Sequence, residues 1–556
     1  MIAGSFFCLV AFLVTPVIAE TYTWIGAEGQ TAEAPGEWST GTNWSGGTVP
    51  TGSGDIITIG ADGYVTSASQ TLANSSTLNL SGNLKMTGNL NLNSDSSFTQ
   101  TGGILDLGTS YRLNVGYNST GHYVMDVAGW SYSDGSVTTA TASNPNACMN
   151  VLQLGGNGKT SGGSSITLTK GTLVANYVWL GTYEGGVGDS TKTIEYTFTL
   201  DGAELVASKQ AFIGYSPGIN NTMVSTKQVT NFYMKSGTWT SNGTTIIGHG
   251  YSNLKKLQGD CSNTGIVTIS GGVANFNGGL TIGYDVNELV DAQTGEVVGD
   301  GTISQGILNI VASKATISAK TLTANAGQST INFTAGEFGL NADGTVKSAV
   351  STINVTDTAT IDGAISVDMS NYFSNGATYV TGDLTQTLIS AGTTLNCTTV
   401  NTATVTPGWN LGTVGNNLVL TFDESQFAFA DVSSGSGFAL GNLGTEGWVT
   451  LTGNENETVD LSMAYSGVEN VENFVAWLQE SMGDGVTVSG SDDVITFQNL
   501  ALDEEGKGYL NFDLSAYTGG NVSFIDGSNH VPEPATWAML VIGLTVGSFF
   551  RKRKGR

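Results

Sequence analysis

The sequence is poor in bases. Only 19 Lys and Arg stand against 46 Asp and Glu in 556 residues, and charged residues of either sign make up just 12 %. Five of the 19 (Arg551, Lys552, Arg553, Lys554 and Arg556) fall in the last six positions, so the chain before residue 531 carries 14 bases against 45 acids, a net of −31. Such a body has no basic footprint for a phosphate backbone, which excludes nucleic acid as a partner. It has none for an anionic membrane surface either. Histidine is scarcer still, with His122, His249 and His530 alone, and no HExxH or GxSxG arrangement accompanies them. No catalytic residue and no metal ligand is therefore assigned. Cysteine is limited to Cys8, Cys148, Cys261 and Cys397, with no CxxC spacing. Between residues 20 and 460 there is no helical periodicity.

Glycine, by contrast, is abundant at 77 residues, about twice the usual share. Between the glycines, apolar residues alternate with Ser, Thr and Asn, as in Thr77-Leu78-Asn79-Leu80, Ile166-Thr167-Leu168-Thr169 and Tyr196-Thr197-Phe198-Thr199-Leu200. Period two with β-branched residues predicts strands. An apolar residue followed by glycine recurs at Val115-Gly116, Leu154-Gly155, Leu180-Gly181, Ile213-Gly214, Ile247-Gly248 and Ile282-Gly283, at spacings of 39, 26, 33, 34 and 35. A second set, Gly171, Gly202, Gly237 and Gly272, precedes it at spacings of 31, 35 and 35. Each unit then reads strand, Gly turn, strand, short turn, strand-Gly and a loop of variable length. Three strands in about 33 residues make one coil of an all-β, right-handed parallel β-solenoid (β-helix), whose coils stack to bury a continuous core. Glycine supplies the corners with positive φ, and Asn and Thr suit ladders one coil apart. Residues 55–423 form this region, on the order of a dozen coils and roughly 60 Å. A chain of immunoglobulin-like sandwiches is the competing all-β reading, but the punctuation it needs about every 100 residues is missing. In a solenoid Cys148 and Cys261 would lie roughly 15 Å apart, beyond the ~7 Å reach of a disulfide.

From about residue 424 the pattern changes. Val468, Val471, Phe474, Val475 and Leu478 fall at helical spacings, with Trp477 beside them. Residues 424–528 therefore read as a small β-rich or α+β domain with one helix.

The two ends read as addresses. Residues 1–19 form a signal peptide, with an uncharged apolar run, Pro16, and a cut expected between Ala19 and Glu20. At the other end Val531-Pro532-Glu533-Pro534 precedes an uncharged stretch, 535–550, and then Arg551-Lys552-Arg553-Lys554. Sixteen helical residues span about 24 Å, and Trp537 with snorkelling Arg551 and Lys552 makes up the rest of a transmembrane helix. The basic cluster predicts a cytoplasmic C-terminus and an exported body. This tail, residues 531–556, resembles the PEP-CTERM sorting signal of Gram-negative bacteria, with Pro532, Glu533 and Pro534 as its motif. The resemblance implies an exosortase as partner, a transient inner-membrane tether, and delivery to the outer surface or the extracellular matrix. The stretch Thr23-Trp24-Ile25-Gly26, Trp38 and Asn43-Trp44-Ser45-Gly46-Gly47 resembles the start of autotransporter-like β-repeat passengers. Residues 20–54 are read as a cap in which Trp24, Trp38 and Trp44 shield the first coil. A carbohydrate-binding role for these rings is the competing reading.

Within the repeat, Tyr117, Tyr215, His249 and Tyr284 share one slot, with Tyr183 and Tyr251 nearby, so they form a candidate glycan-contact ladder. A ladder that only packs the coil corner is the alternative. Gly248-His249-Gly250 matches an element of β-helical polygalacturonases, but the Asn-Thr-Asp and Arg-Ile-Lys elements are absent. Loop acids such as Asp291, Glu296, Asp300, Asp503, Glu504 and Glu505 suit weak Ca²⁺ binding at most, and no other cofactor is implied. Three functions follow. The first is a non-enzymatic structural or adhesive surface protein. The second, a polysaccharide lyase or glycoside hydrolase on the same fold, needs acids and bases clustered on one face. The third is a carbohydrate-binding surface protein.

Overall fold

The computed structural model describes residues 19–524, interrupted by internal stretches of which the longest are 132–136, 157–162, 184–192, 216–221, 251–255, 291–296, 337–347, 423–428 and 439–445. The leader to residue 18, the motif Pro532-Glu533-Pro534, the span expected at 535–550, Tyr251, Cys261 and the acids Asp291, Glu296 and Asp300 lie outside the described residues. Among the described residues no helix is long and apolar enough to cross a membrane. Ala19 and Glu20 open the described chain, and the Tyr22 hydroxyl donates to Glu20 Oε2 at 2.5 Å. The chain divides into two compact units. One is built mainly from residues up to 332, the other mainly from residue 403 onward, and the segment between them contributes to both.

The protein is mostly β, with a large, mainly parallel sheet consistent with a β-solenoid and, among the described residues, one α-helix. In the first unit the alternating sequences become strands that bury every second residue, as in Thr77–Leu80 and Asn83–Met86. Strands one coil apart pair in parallel so that like residues stack. One column runs Tyr22, Ile57, Leu78, Phe98, Tyr123, Ile166, Phe198, Phe232, Val267 and Leu308. All ten are buried, and each such side chain contributes about 1.5–3 kcal/mol through the area it removes from water. A second ladder carries Leu84, Leu105, Ala147, Leu173, Leu205, Trp239, Ala274 and Ile317 inward. Outward positions pair by hydrogen bond across coils, as Asn91 Nδ2 to Thr71 Oγ1 (3.1 Å), Asn114 Nδ2 to Asn91 Oδ1 (2.7 Å) and Asn277 Nδ2 to Asn242 Oδ1 (3.0 Å).

Coil length changes along the chain. Hydrogen-bonded equivalents lie 20 residues apart near the N-terminus, as Thr77 and Ser97, and 35 apart farther on, as Asp201 and Ser236. The short coils turn their corners on Ser75, Ser94 and Asp95, all at positive φ. In the column of Val115 the early coils carry Leu72 and Leu92, followed by Ala73 and Asn93, so the glycine of the repeat enters that column only at Gly116. At the N-terminus Thr21–Thr23 and Gly36–Glu37 start the first two ladders. Trp24, Trp38 and Trp44 are buried there and pack edge to face at 4.8–4.9 Å. Trp44 Nε1 donates to the Trp38 carbonyl at 2.8 Å. Rings buried in this way offer no platform to a sugar.

In the second unit two sheets share one core. Gly376–Val380, Lys507–Asp513, Glu446–Thr452 and Phe429–Ser433 form the first. Gly437–Phe438, Thr458–Ser466, Val494–Ala501 and Thr487–Ser491 form the second, with Ser523–Phe524 paired to the end of Thr458–Ser466. Val449, Leu451, Leu510 and Phe512 meet Leu461, Met463, Ile495 and Phe497 in that core. The helix runs Val471–Met482 and buries Phe474 and Leu478. It begins where Asn470 Oδ1 accepts the Asn473 N–H at 2.9 Å, a capping bond that satisfies an otherwise orphaned donor.

Candidate functional site: the aromatic ladder at the glycine corner

The apolar residues of the repeat stack one coil apart in register, Val115 on Leu154, Leu180, Ile213, Ile247 and Ile282. The glycine after each has φ between 67° and 90°, a region that side chains resist. Close approach enforces the same choice. A Cβ at Gly248 would lie 2.3 Å from the Gln305 carbonyl carbon, and one at Gly214 2.6 Å from the Gly265 nitrogen. Gly265 and Gly306 are required in return, since a Cβ on either would meet the Ile213 or Ile247 carbonyl oxygen at 2.2–2.3 Å. The corner carbonyls are satisfied from farther along the chain. The amides of Gln228, Asn263 and Asn325 donate to the carbonyls of Gly181, Gly214 and Gly283.

The residue after the corner glycine carries the candidate ladder. Tyr215 pairs with His249 one coil on, and the Tyr284 N–H donates to the Gly248 carbonyl at 3.0 Å. Their rings touch: Tyr215 meets His249 edge to face at 5.1 Å, and His249 stacks on Tyr284 at 4.7 Å with planes 10° apart. Tyr117 lies three coils before Tyr215. In the two intervening coils the slot after the corner glycine holds Gly156 and Thr182, and the Tyr117 ring lies against Gly156. Tyr183 pairs through its backbone with Gly156.

Three further rings extend the run. Phe212 lies 4.6 Å from His249 and 4.9 Å from Tyr215, Trp179 lies 5.6 Å from Tyr215, and Tyr177 lies 5.6 Å from Trp179. The guanidinium of Arg112, the one arginine before residue 551, sits 5.4 Å over Trp179, and the Lys209 ammonium lies 5.4 Å over Tyr177. Each such cation–ring contact is worth about 0.5–1 kcal/mol where exposed. Reasoning from sequence missed these residues because they precede the glycine. Their signal is a bulky residue immediately before the apolar-glycine pair in three successive units, Trp179, Phe212 and Ile246.

Chemically this is a run of rings packed on one another and on two cations, with Tyr284 as its exposed end. Burial pushes the His249 imidazole down to about 4, with its own and the Gly250 backbone acting weakly the other way and no charged neighbour contributing. Its Nδ1 is buried without a hydrogen bond. Elsewhere, His122 Nδ1 lies 2.9 Å from Ser165 Oγ one coil on. The Cys148 thiol donates to Asp106 Oδ1 at 3.1 Å and is pushed up to about 12, first by burial and then by that carboxylate. Cys148 and Cys397 are free thiols. Asp503 Oδ1 accepts the N–H groups of Glu505 and Lys507 and so holds its own turn. Among the described residues no three His, Cys, Asp or Glu side chains converge on one point.

No family model, curated protein or solved structure matches the chain.

Proposed function

We propose that this is an exported, non-enzymatic surface or extracellular-matrix protein whose solenoid body is delivered by an exosortase. The tail carries the reading: Pro532-Glu533-Pro534, an apolar stretch at 535–550 and a basic end, in the order of a PEP-CTERM signal. The stretch 535–550 is the transmembrane helix that tethers the chain to the inner membrane until processing. Parallel crossovers in one sheet are right-handed almost without exception, and the three strands of each coil are assigned that hand.

The construction of the body supports a structural or adhesive role. Outward side chains such as Asn91, Asn114 and Asn277 bond across coils, and the rings from Tyr177 to Tyr284 pack on one another. Stacking of this kind stiffens the array coil by coil. Fractionating cells with and without the exosortase tests the delivery. The protein reaches the outer fraction only in the first, and retention in the inner membrane of both would defeat the reading.

A second reading, contact with an extracellular polysaccharide, is favoured by Tyr284. It closes the stack with 37 % of its surface exposed and so leaves an aromatic group open to a sugar ring.

A further inference from the structure

We propose that the sheet edge at Lys507–Asp513 is an exchange site, filled by the strand Gly376–Val380 of its own chain or of a second copy, so that copies link through this strand. In the second unit the two strands run antiparallel, with Gly376 opposite Asp513, Thr378 opposite Asn511 and Val380 opposite Tyr509. The helix Val471–Met482 also lies against Gly376–Val380. The rest of that sheet comes from residues after 428, so its edge strand is donated from a remote part of the sequence.

Without the donor, Lys507–Asp513 would pair only with Glu446–Thr452 and leave a row of backbone groups open. Such an edge recognises a strand through main-chain hydrogen bonds. A second copy offers the same strand in the same register, so the exchanged and unexchanged forms make the same contacts. What separates them is effective concentration. The tethered donor acts at about millimolar level, so exchange grows as copies crowd. Only the expectation of crowding rests on the surface delivery proposed above; the pairing does not.

Paired residues on antiparallel strands have Cα atoms about 4.5–5.5 Å apart, within reach of a disulfide. In a chain whose native cysteines are changed to Ser, T378C/N511C should lock within one copy on oxidation. Two differently tagged full-length chains, one T378C and the other N511C, are then co-expressed in an oxidising compartment and purified through both tags. A disulfide-linked heterodimer is expected, its share rising several-fold over a tenfold rise in expression. If the double variant locks and the separate variants yield no linked heterodimer at any level, exchange is refuted. If the double variant fails to lock, the pairing itself is wrong and the proposal falls with it. The assay reads purified chains, so its failure and a failure of sorting are distinguishable.

Discussion

Tyr284 stacks on His249 with ring centroids 4.7 Å apart and planes 10° from parallel. The corner glycines bring this about. They admit the next coil close enough that His249 meets Tyr215 edge to face and Tyr284 face to face, with Tyr284 as the exposed end of the run.

The stack makes stability depend on acid. His249 is held at about 4 by burial, against an ordinary value of 6.5. Between those values the unfolded chain binds a proton that the folded chain does not. Stability is therefore complete above pH 6.5, falls as pH drops through the window, and levels out below 4, a loss of roughly 3 kcal/mol. Urea unfolding at pH 7.5 and 4.5 checks this. His249→Phe keeps a ring and should lose that share of the dependence, while the carboxylates contribute equally to both proteins.

Gly248 and Gly327 have nearly the same φ, 73° and 69°, in different surroundings. A Cβ at Gly248 strikes the Gln305 backbone at 2.3 Å, whereas one at Gly327 meets nothing within 4 Å. Gly327→Ala should cost about 1–2 kcal/mol, the left-handed penalty alone. Gly248→Ala should add about 1–3 kcal/mol of overpacking. Paired thermal melts of the two variants measure the difference.

Removing rings separates packing from recognition. Tyr215→Ala and Tyr284→Ala should each lower stability by about 1 kcal/mol, the order of an aromatic pair, and leave retention on extracellular polysaccharide unchanged. Lost retention at unchanged stability would instead favour the glycan-contact reading.

Cys148 should be a poor nucleophile, because its thiol is pushed up to about 12 and the thiolate is the reactive form. Iodoacetamide at pH 8 is expected to alkylate it only after denaturation, with peptide mass spectrometry locating the label.

Much of the coil was legible in sequence because each long coil marks its corners twice, as with Gly237 and Gly248. The early coils were not, because Ser75, Ser94 and Asp95 adopt the left-handed conformation there, and a serine or aspartate in sequence does not announce a positive φ. The helix was legible from the spacing of Phe474 and Leu478, but Asn470, through its capping bond, sets its start. Of the ladder, Tyr215, His249 and Tyr284 followed from the repeat. Tyr117 stands three coils before Tyr215, with Gly156 and Thr182 following the corner glycines in between. The pairing of Thr378 with Asn511 left no local signal at all, since each strand alone reads as an ordinary alternating segment.

The most direct test of the account is the intact mass of the protein recovered from the cell surface. Export and sorting predict a chain beginning at Glu20 and ending near Pro534, without the apolar stretch and its basic end. A surface protein whose mass corresponds to all 556 residues would contradict it.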